Sequence, residues 1–464
     1  MEQLKKKYGL FTAICMVVGI VIGSGIFFKT KDVLIASGGN AAYSIIAWLA
    51  SGLIMVIIAT TFAVMATKYE KINGAVDYAE AMCGKKYAYY VGWFMSLIYY
   101  PAMTAVLAWV SARYTLVVCG YTEAPLAYVD GTSSTLNSPE CITIALFYLV
   151  LAFFINTIAP RIAGKFQVSS TIVKLVPIAF IAVVGTVIGL ANGTLISNFA
   201  TVEIEGITGG GLFAAICTTV FAYEGWIVAT SINSELKDSK KNLPIALCVG
   251  SLIIVVAYTL YNLGILGLAD IDQVTSGGTT IAFKFFGGAA ASIINVLVVI
   301  SCLGTLNGLM LGGCRGLYSL SARGEGISPE TFSQVDKKSG IPHNSAIFTL
   351  MMCAGWFVYF ILLGSGLFSF GAISNYAFDS SELPIITLYA LYIPILIAMM
   401  IKEKDLGVFR RFILPILSLG GIGVIIYASI DKHKMGNVWY LIIFGVIMLF
   451  GFIAQKINES KQNK

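Results

Sequence analysis

Apolar runs of about 20 residues, separated by short polar segments, recur along the whole sequence. A run of that length can cross the hydrocarbon core of a bilayer as a helix. The pattern therefore predicts about twelve membrane-spanning helices and leaves no room for a soluble signalling domain. The predicted spans are 9–37, 41–67, 87–119, 141–159, 165–190, 209–236, 243–268, 289–319, 345–364, 380–401, 408–430 and 438–455.

The composition agrees with an integral membrane protein. Of the 464 residues, 58% are apolar and 12% are charged, and the mean hydropathy is +0.85. The net charge of +6 comes from loop lysines and arginines and does not indicate nucleic-acid binding. The first apolar run is too long for a cleavable secretion signal and lacks a small-residue cleavage site.

The loop charges predict the orientation of the chain. If the N-terminus is inside, 22 of the 30 lysines and arginines lie in cytoplasmic segments and five lie outside. Positive residues accumulate on the cytoplasmic side of membrane proteins. We therefore expect a multi-pass protein of the cytoplasmic membrane, in contact with the lipid bilayer, with both termini in the cytoplasm. The acidic character of the predicted outer loops at 120–140 and 192–208 agrees with this orientation.

The first predicted span is interrupted in its middle by Gly23, Ser24 and Gly25. Within a bilayer, irregular backbone is tolerated only where it lines a cavity. A break here would leave free carbonyls at the end of one half-helix and free N–H groups at the start of the next, near Ile26. Carbonyls attract a cation and helix N-termini attract an anion, so this stretch can hold a zwitterionic amino acid. The alternative is that the glycines only allow a second helix to approach closely.

A second break is predicted in the sixth span, where Glu224 and Gly225 interrupt the apolar stretch 219–233. The sixth span runs in the opposite direction to the first. Paired breaks in two antiparallel halves are typical of inverted-repeat transporters whose site lies near the bilayer midplane. The alternative for Glu224 alone is that it caps the second half-helix.

Lys174 is the remaining intramembrane charge of interest, about 14 Å along a helix from the start of the fifth predicted span. A buried ammonium must be paired, coordinated by carbonyls or hydroxyls, or deprotonated. Ionisable residues inside a membrane usually serve function. The alternative is a structural cation that ties helices together in place of a metal ion.

Two further features have structural interpretations. Asp379 and Glu382 precede Pro384 in a pattern typical of a helix start, so we expect both acids to be interfacial capping residues. None of the nine cysteines forms a CxxC pair, and most lie within apolar runs, so neither a metal site nor a disulfide framework is indicated. Cys119 and Cys141 flank a polar loop and are expected to be separate thiols.

Three motifs together resemble the L-type amino-acid transporter family of the amino acid–polyamine–organocation superfamily. They are GSGIF at 23–27, FAYEGW at 221–226 and NLP at 242–244. The resemblance covers nearly the whole chain and implies an all-α integral membrane protein with 12 transmembrane helices and a LeuT-like fold. In that fold a 5+5 inverted repeat contains broken helices 1 and 6. Residues 1–464 would form one transport domain, with repeats at 9–190 and 209–401 and two extra helices at 408–455.

The resemblance also implies site residues. The substrate carboxylate would meet the amides of Ser24 and Gly25, and its ammonium would meet the carbonyls of Val21, Phe221 and Glu224. Phe221 would also close over the substrate as a gate. Lys174 would stand where sodium-dependent relatives hold a sodium ion, with Ser301 as its neighbour. Glu224 departs from the Asp or Gly of relatives, which leaves side-chain specificity open. The expected substrate-binding set is Val21, Ser24, Gly25, Ile26, Phe221, Ala222 and Glu224.

We therefore expect a sodium-independent secondary transporter of neutral L-amino acids that works by alternating access, as an exchanger. The short tails suggest a prokaryotic member, similar to serine/threonine exchangers. The alternative is a proton-coupled symporter in which Lys174 titrates, although His343 and His433 lie at span ends and offer few relay partners.

Other classes of function are disfavoured. No HExxH, GxSxG or paired-histidine pattern occurs in any span, so we expect no enzymatic activity, no metal and no cofactor. Eukaryotic relatives bind a partner glycoprotein through a cysteine in the outer loop after span three. Neither Cys119 nor Cys141 sits squarely in that loop, so we expect no obligate partner subunit.

Overall fold

A computed structural model describes residues 9–69, 74–121, 139–200, 210–277, 279–336, 340–364 and 377–462. Every regular element in these ranges is a helix. Within the described residues, eleven helices are long and apolar enough to cross a membrane, and the number is twelve if one bent pair counts as a single span. The all-α class and the number of spans are thus confirmed. The lysines near the N-terminus, most of the acidic outer loop at 120–140 and the connection at 367–376 lie outside the described residues.

The helix boundaries follow the predicted spans closely. The α-helices are α1 (Leu10–Val21), α2 (Gly25–Ala36), α3 (Ala41–Lys68), α4 (Ala75–Cys83), α5 (Lys85–Phe94), α6 (Tyr100–Val118), α7 (Pro139–Ile158), α8 (Pro160–Phe180), α9 (Thr186–Ala191), α10 (Thr194–Ala200), α11 (Leu212–Thr219), α12 (Ser239–Leu268), α13 (Ile271–Gly277), α14 (Thr279–Lys284), α15 (Gly288–Cys314), α16 (Gly316–Ser321), α17 (Pro329–Phe332), α18 (His343–Tyr359), α19 (Leu383–Lys402), α20 (Leu414–His433) and α21 (Met435–Gln462). The π-helical turns are Met95–Tyr99, Ile181–Gly185, Phe360–Gly364 and Phe409–Ile413, and 3₁₀ segments span Val220–Tyr223 and Trp226–Glu235.

Both predicted breaks are present. Helices α1 and α2 are separated by three residues and bend by 45° relative to one another. The second interruption separates the two 3₁₀ segments at Glu224, whose backbone is extended, and Gly225, whose φ is +109°. A positive φ of this kind favours glycine because it has no Cβ. The glycines of the two motifs therefore mark real interruptions of the helices.

The broken segments lie at the centre of the helix assembly. Helix α1 packs against α8, α12, α15 and the 3₁₀ segment that follows the second break. Helix α2 packs against α11 and the other 3₁₀ segment. The end of α1 is buried throughout, from Val17 to Val21. An apolar helix surrounded by other helices can carry a break because protein, rather than lipid, faces the freed backbone groups.

The capping prediction for Glu382 is wrong. Its side chain is fully buried and makes no capping hydrogen bond to α19. Instead, its carboxylate accepts hydrogen bonds from the ammonium groups of Lys29 and Lys432, each at 2.7 Å. Asp379 does serve the local turn, because its carboxylate accepts a 2.7 Å hydrogen bond from the Ser381 N–H. A carboxylate can be buried so deeply because cations from other helices compensate its desolvation.

Candidate functional site

The two helix breaks lie directly against one another. A Cβ added at Gly25 would lie 2.5 Å from the Cα of Ala222, which is closer than such atoms approach in proteins. A Cβ at Gly225 would lie 3.0 Å from the Cγ2 of Ile20. The two backbones thus cross at a distance that requires a glycine at position 25. The alternative interpretation of these glycines was that they allow two helices to approach closely. Both that close approach and a helix break are present at this point.

A cavity of about 30 Å³ lies where the breaks meet. Of the sequence-predicted residues, Val21, Ser24, Gly25, Phe221 and Glu224 line it, whereas Ile26 and Ala222 do not. The remaining lining residues are Ile20, Gly23, Tyr99, Met103, Leu107, Gly225, Thr305 and Leu309. The cavity has room for about two water molecules, so an amino acid can enter only if the surrounding helices move apart.

The α2 side of the cavity can receive an anion. The first N–H groups of α2, which begins at Gly25, have no acceptor within the helix. Ser24 precedes them, and its buried hydroxyl has no hydrogen-bond partner among the described residues. A helix N-terminus favours a carboxylate by about 0.3–1 kcal/mol even at an exposed site. These groups together form a donor-rich wall.

The opposite wall offers acceptors. The last carbonyls of α1 have no partner within the helix, and the Val21 carbonyl accepts a 3.1 Å hydrogen bond from the Tyr258 hydroxyl. The buried side chain of Glu224 adds acceptor oxygens, one of which accepts a 2.8 Å hydrogen bond from the Tyr99 hydroxyl. The resemblance implied the Glu224 carbonyl as a ligand; Glu224 lines the cavity, and its side chain bonds to Tyr99, which lines it too.

Phe221 lies between the cavity and a cluster of aromatic and cationic groups on α2. Its ring packs edge-to-face against Phe28, with the ring centroids 6.3 Å apart. The Lys29 ammonium lies 5.6 Å from the Phe221 centroid, within the range of a cation–π interaction. Phe221 therefore contacts both the cavity and the aromatic and cationic side chains of α2, the arrangement expected of the predicted gate.

Lys174 lies beside the first break. Its side chain is fully buried, and its ammonium donates to the Gly19 carbonyl at 2.7 Å and to the Thr305 hydroxyl at 3.0 Å. No salt bridge joins Lys174 to an acid in the described part of the chain. The hydrogen-bonding hydroxyl is that of Thr305 rather than Ser301, which lies one turn earlier on α15 and whose hydroxyl has no partner among the described residues.

Thr305 connects the lysine to the cavity. It lines the cavity, and a Cβ added at Gly23 would lie 2.4 Å from its Oγ1. The sequence analysis named only Ser301, one helical turn before Thr305, and the packing of α15 against α8 brings Thr305 to the ammonium instead. Tyr99, Met103 and Leu107 were also missed, since they belong to an apolar run with no chemical feature that marks a cavity wall.

Comparisons with known proteins find a matching family model and several related proteins. A family model described as "Amino acid permease" matches residues 8–453. The serine/threonine exchanger SteT of Bacillus subtilis (strain 168) is 32% identical over 336 residues, which cover 72% of each chain. The b(0,+)-type amino acid transporter 1 of Mus musculus is 26% identical over 99% of this chain and 90% of its own length. The large neutral amino acids transporter small subunit 2 of Oryctolagus cuniculus is 28% identical over 75% of this chain and 63% of its own. These relatives are named as transporters or exchangers, in agreement with the expectation that this chain is not an enzyme.

Proposed function

Because the chain belongs to the amino acid permease family, we propose that it is a sodium-independent exchanger of neutral L-amino acids in the cytoplasmic membrane. The observation that carries this proposal is the cavity between the two facing helix breaks. One wall presents the first N–H groups of α2 and the hydroxyl of Ser24, which has no hydrogen-bond partner among the described residues. The other presents carbonyls at the end of α1 and the carboxylate of Glu224. Donors and acceptors on opposite walls match the carboxylate and ammonium of an α-amino acid.

The remaining cavity wall favours a neutral side chain. Ile20, Met103, Leu107 and Leu309 contribute apolar surface. We assign the acid in the lining, Glu224, to the substrate ammonium: one of its oxygens accepts a hydrogen bond from Tyr99, and the other has no partner among the described residues. The names of two relatives, a serine/threonine exchanger and a large neutral amino acids transporter, support the same substrate class. The name of the Bacillus protein supports exchange rather than net uptake.

Sodium independence is proposed from Lys174. Its ammonium joins α1, α8 and α15 through the Gly19 carbonyl and the Thr305 hydroxyl. Carbonyl and hydroxyl oxygens are also the groups that coordinate a sodium ion beside an unwound helix. A fixed cation at this position would leave no favourable place for a mobile one.

Alternating access is proposed from the size of the cavity and from the two halves of the chain. A cavity of about 30 Å³ has to open to admit an amino acid. We propose that residues 9–190 and 209–401 act as two inverted repeats that move about the shared site, with 408–455 as additional helices.

Cys119 is exposed and Cys141 is buried, and both are free. We further propose that the chain works without an obligate partner subunit.

Uptake into liposomes tests the substrate class and the coupling ion together. The purified chain is reconstituted alone and given labelled serine, with a panel of unlabelled neutral, cationic and anionic amino acids as competitors. Neutral amino acids should compete, and replacing sodium with choline should leave the rate unchanged. Competition by charged amino acids alone, or a steep dependence on sodium, would contradict the proposal.

Proton-coupled symport is the second candidate. It is favoured by the burial of Lys174 without an acidic partner in the described residues, since such an ammonium can lose its proton during transport. A pH gradient separates the two mechanisms. Exchange should proceed equally with and without the gradient, whereas symport would drive accumulation into empty liposomes only when the gradient is present.

A further inference from the structure

A second cluster of chemically active side chains lies outside the cavity. Cys217 on α11, Glu382 at the start of α19 and His433 at the end of α20 come together from three helices. Cys217 and Glu382 are buried, and His433 is partly buried. Their ligand atoms all lie within 4.8 Å of one another. These three residues are called the Cys–Glu–His cluster below.

We propose that the Cys–Glu–His cluster is a binding site for a divalent transition metal ion such as Zn²⁺. The three atoms are a thiol sulfur, a carboxylate oxygen and an imidazole nitrogen, and all three are ligands that zinc accepts. A site with three protein ligands leaves a fourth position for water, as in many zinc sites. This site could not be predicted from the sequence, because the ligands lie far apart in the chain and none belongs to a short metal motif.

The spacing of the ligand atoms fits tetrahedral coordination. Ordinary zinc bond lengths put a sulfur about 3.6 Å from a neighbouring nitrogen or oxygen ligand, and a nitrogen about 3.4 Å from an oxygen. In the cluster, the Cys217 Sγ lies 3.8 Å from the Glu382 Oε2 and 3.9 Å from the His433 Nε2. The Nε2 and Oε2 atoms are 2.9 Å apart. Shifts of about 0.5 Å or less would therefore complete the site.

Binding would exchange protons for the metal ion. The Cys217 thiol and the imidazole must each present a lone pair, so the thiol proton and any proton between Nε2 and Oε2 leave to solvent. The competing cation is Lys432, whose ammonium lies 2.7 Å from the Glu382 Oε2 and 2.8 Å from the Thr218 hydroxyl. Its side chain is 25% exposed, so it can turn toward water when the metal ion arrives. Lys29 can remain in place, because it occupies the other carboxylate oxygen at 2.7 Å.

A metal ion here would tie α11, which leads into the second break, to α19 of the same proposed repeat and to α20 of the additional helices. Helix α11 ends at Thr219 and leads directly into the 3₁₀ segment that carries Phe221. Linking α11 to α19 and α20 would restrain the segment that carries Phe221, so the proposed gate would stay closed. This consequence rests on the proposed function, whereas binding of the metal ion itself does not. We therefore expect Zn²⁺ to inhibit exchange from the predicted outer side.

Cobalt provides a direct test of the site. Purified full-length protein in detergent is titrated with Co²⁺, whose tetrahedral thiolate complexes absorb in the near-ultraviolet and visible. We expect one Co²⁺ per chain, a thiolate-to-cobalt band, and displacement of that band by Zn²⁺. Cys217→Ser should abolish the band, and His433→Gln should weaken binding at least about tenfold. The matched controls Cys353→Ser, Cys119→Ser and His343→Gln should bind as the unmodified protein does.

A variant that should bind the metal ion more tightly shows that the losses in the other variants do not result from misfolding. Lys432→Gln removes the competing ammonium and should strengthen Co²⁺ binding by about tenfold. No thiolate band in the unmodified protein, or a band that persists in Cys217→Ser, would overturn the site. Inhibition by Zn²⁺ is then measured in liposomes that exchange amino acids. Binding without any effect on exchange would overturn the closing role, and binding in a protein that shows no exchange would overturn the proposed function while leaving the site intact.

Discussion

The ammonium of Lys174 donates a 2.7 Å hydrogen bond to the carbonyl of Gly19 in the last turn of α1. Carbonyls in the last turn of a helix lack N–H donors from the helix itself, and a cation near them is favourable. The lysine therefore stabilises the half-helix whose end forms one wall of the cavity. The lysine has no acidic partner in the described residues. Its ammonium is therefore stabilised by the oxygen atoms beside the break.

Lys174→Ala should slow exchange or weaken substrate affinity by at least about tenfold. The substitution leaves the Gly19 carbonyl without its donor, at a cost of about 1–3 kcal/mol for a buried group. Lys174→Arg should rescue poorly, because a planar guanidinium does not replace a compact ammonium. Initial rates in liposomes, normalised to protein, provide the measurement. Lys165→Ala, at an exposed position on the same helix, is the control, and unchanged kinetics in Lys174→Ala would make the lysine a bystander.

The hydroxyls of Thr305 and Ser301 should differ in importance. Thr305→Val keeps the shape of the side chain but removes the 3.0 Å contact with the Lys174 ammonium. A hydrogen bond to a charged group contributes about 1.5–3 kcal/mol, so substrate affinity should fall about tenfold or more. Ser301→Ala removes a hydroxyl that has no partner among the described residues, and its affinity should stay within about twofold. Equal effects in the two variants would show that the lysine contact does not influence the cavity.

Gly25→Val should abolish transport in a protein that still inserts into the membrane. A Cβ at this position would lie 2.5 Å from the Cα of Ala222, so the two breaks would have to separate and the donor wall would be displaced. Gly355→Val is the control, since a Cβ there would meet nothing within 4 Å. Uptake and membrane abundance are measured together. Normal uptake by Gly25→Val at equal abundance would refute the assignment of the site.

Phe221→Ala should retain substrate binding but lose most translocation. Without the ring, the cavity stays open toward the Lys29 side, and the substrate is not enclosed before the helices move. Binding to purified protein and exchange in liposomes are measured separately. Phe213→Ala, at a half-exposed position on α11, is the control. Parallel loss of binding and exchange would mean that Phe221 is a contact or a structural support rather than a gate.

The sequence predicted the spans, both breaks and the buried lysine because each depends on local chemistry. Glycines within an apolar run and a lysine deep in a span are visible without any knowledge of neighbouring helices. The burial of Glu382 could not be predicted in this way, because its partners Lys29 and Lys432 come from other helices. The local pattern around it is that of an ordinary helix start, and only packing turns the carboxylate inward.

The same limit applies to the cavity. Tyr99, Met103 and Leu107 face it from an almost wholly buried apolar helix, in which one face cannot be told from another by composition. Thr305 and Ser301 lie on the same side of α15, and their different roles depend on where α8 places Lys174. Chemistry that is local to a segment was predictable, whereas pairings between distant segments required the structure.

Counterflow in liposomes tests the central claim most directly, namely that the facing breaks bind neutral amino acids for exchange. Uptake of labelled serine is compared between empty liposomes and liposomes preloaded with unlabelled serine, alanine or threonine, without sodium or a pH gradient. The account predicts rapid uptake into preloaded liposomes and little uptake into empty ones. In liposomes that contain Gly25→Val, preloading should not increase uptake. Equal uptake into empty and preloaded liposomes would contradict exchange, and the absence of uptake for every neutral amino acid would contradict the proposed substrate class.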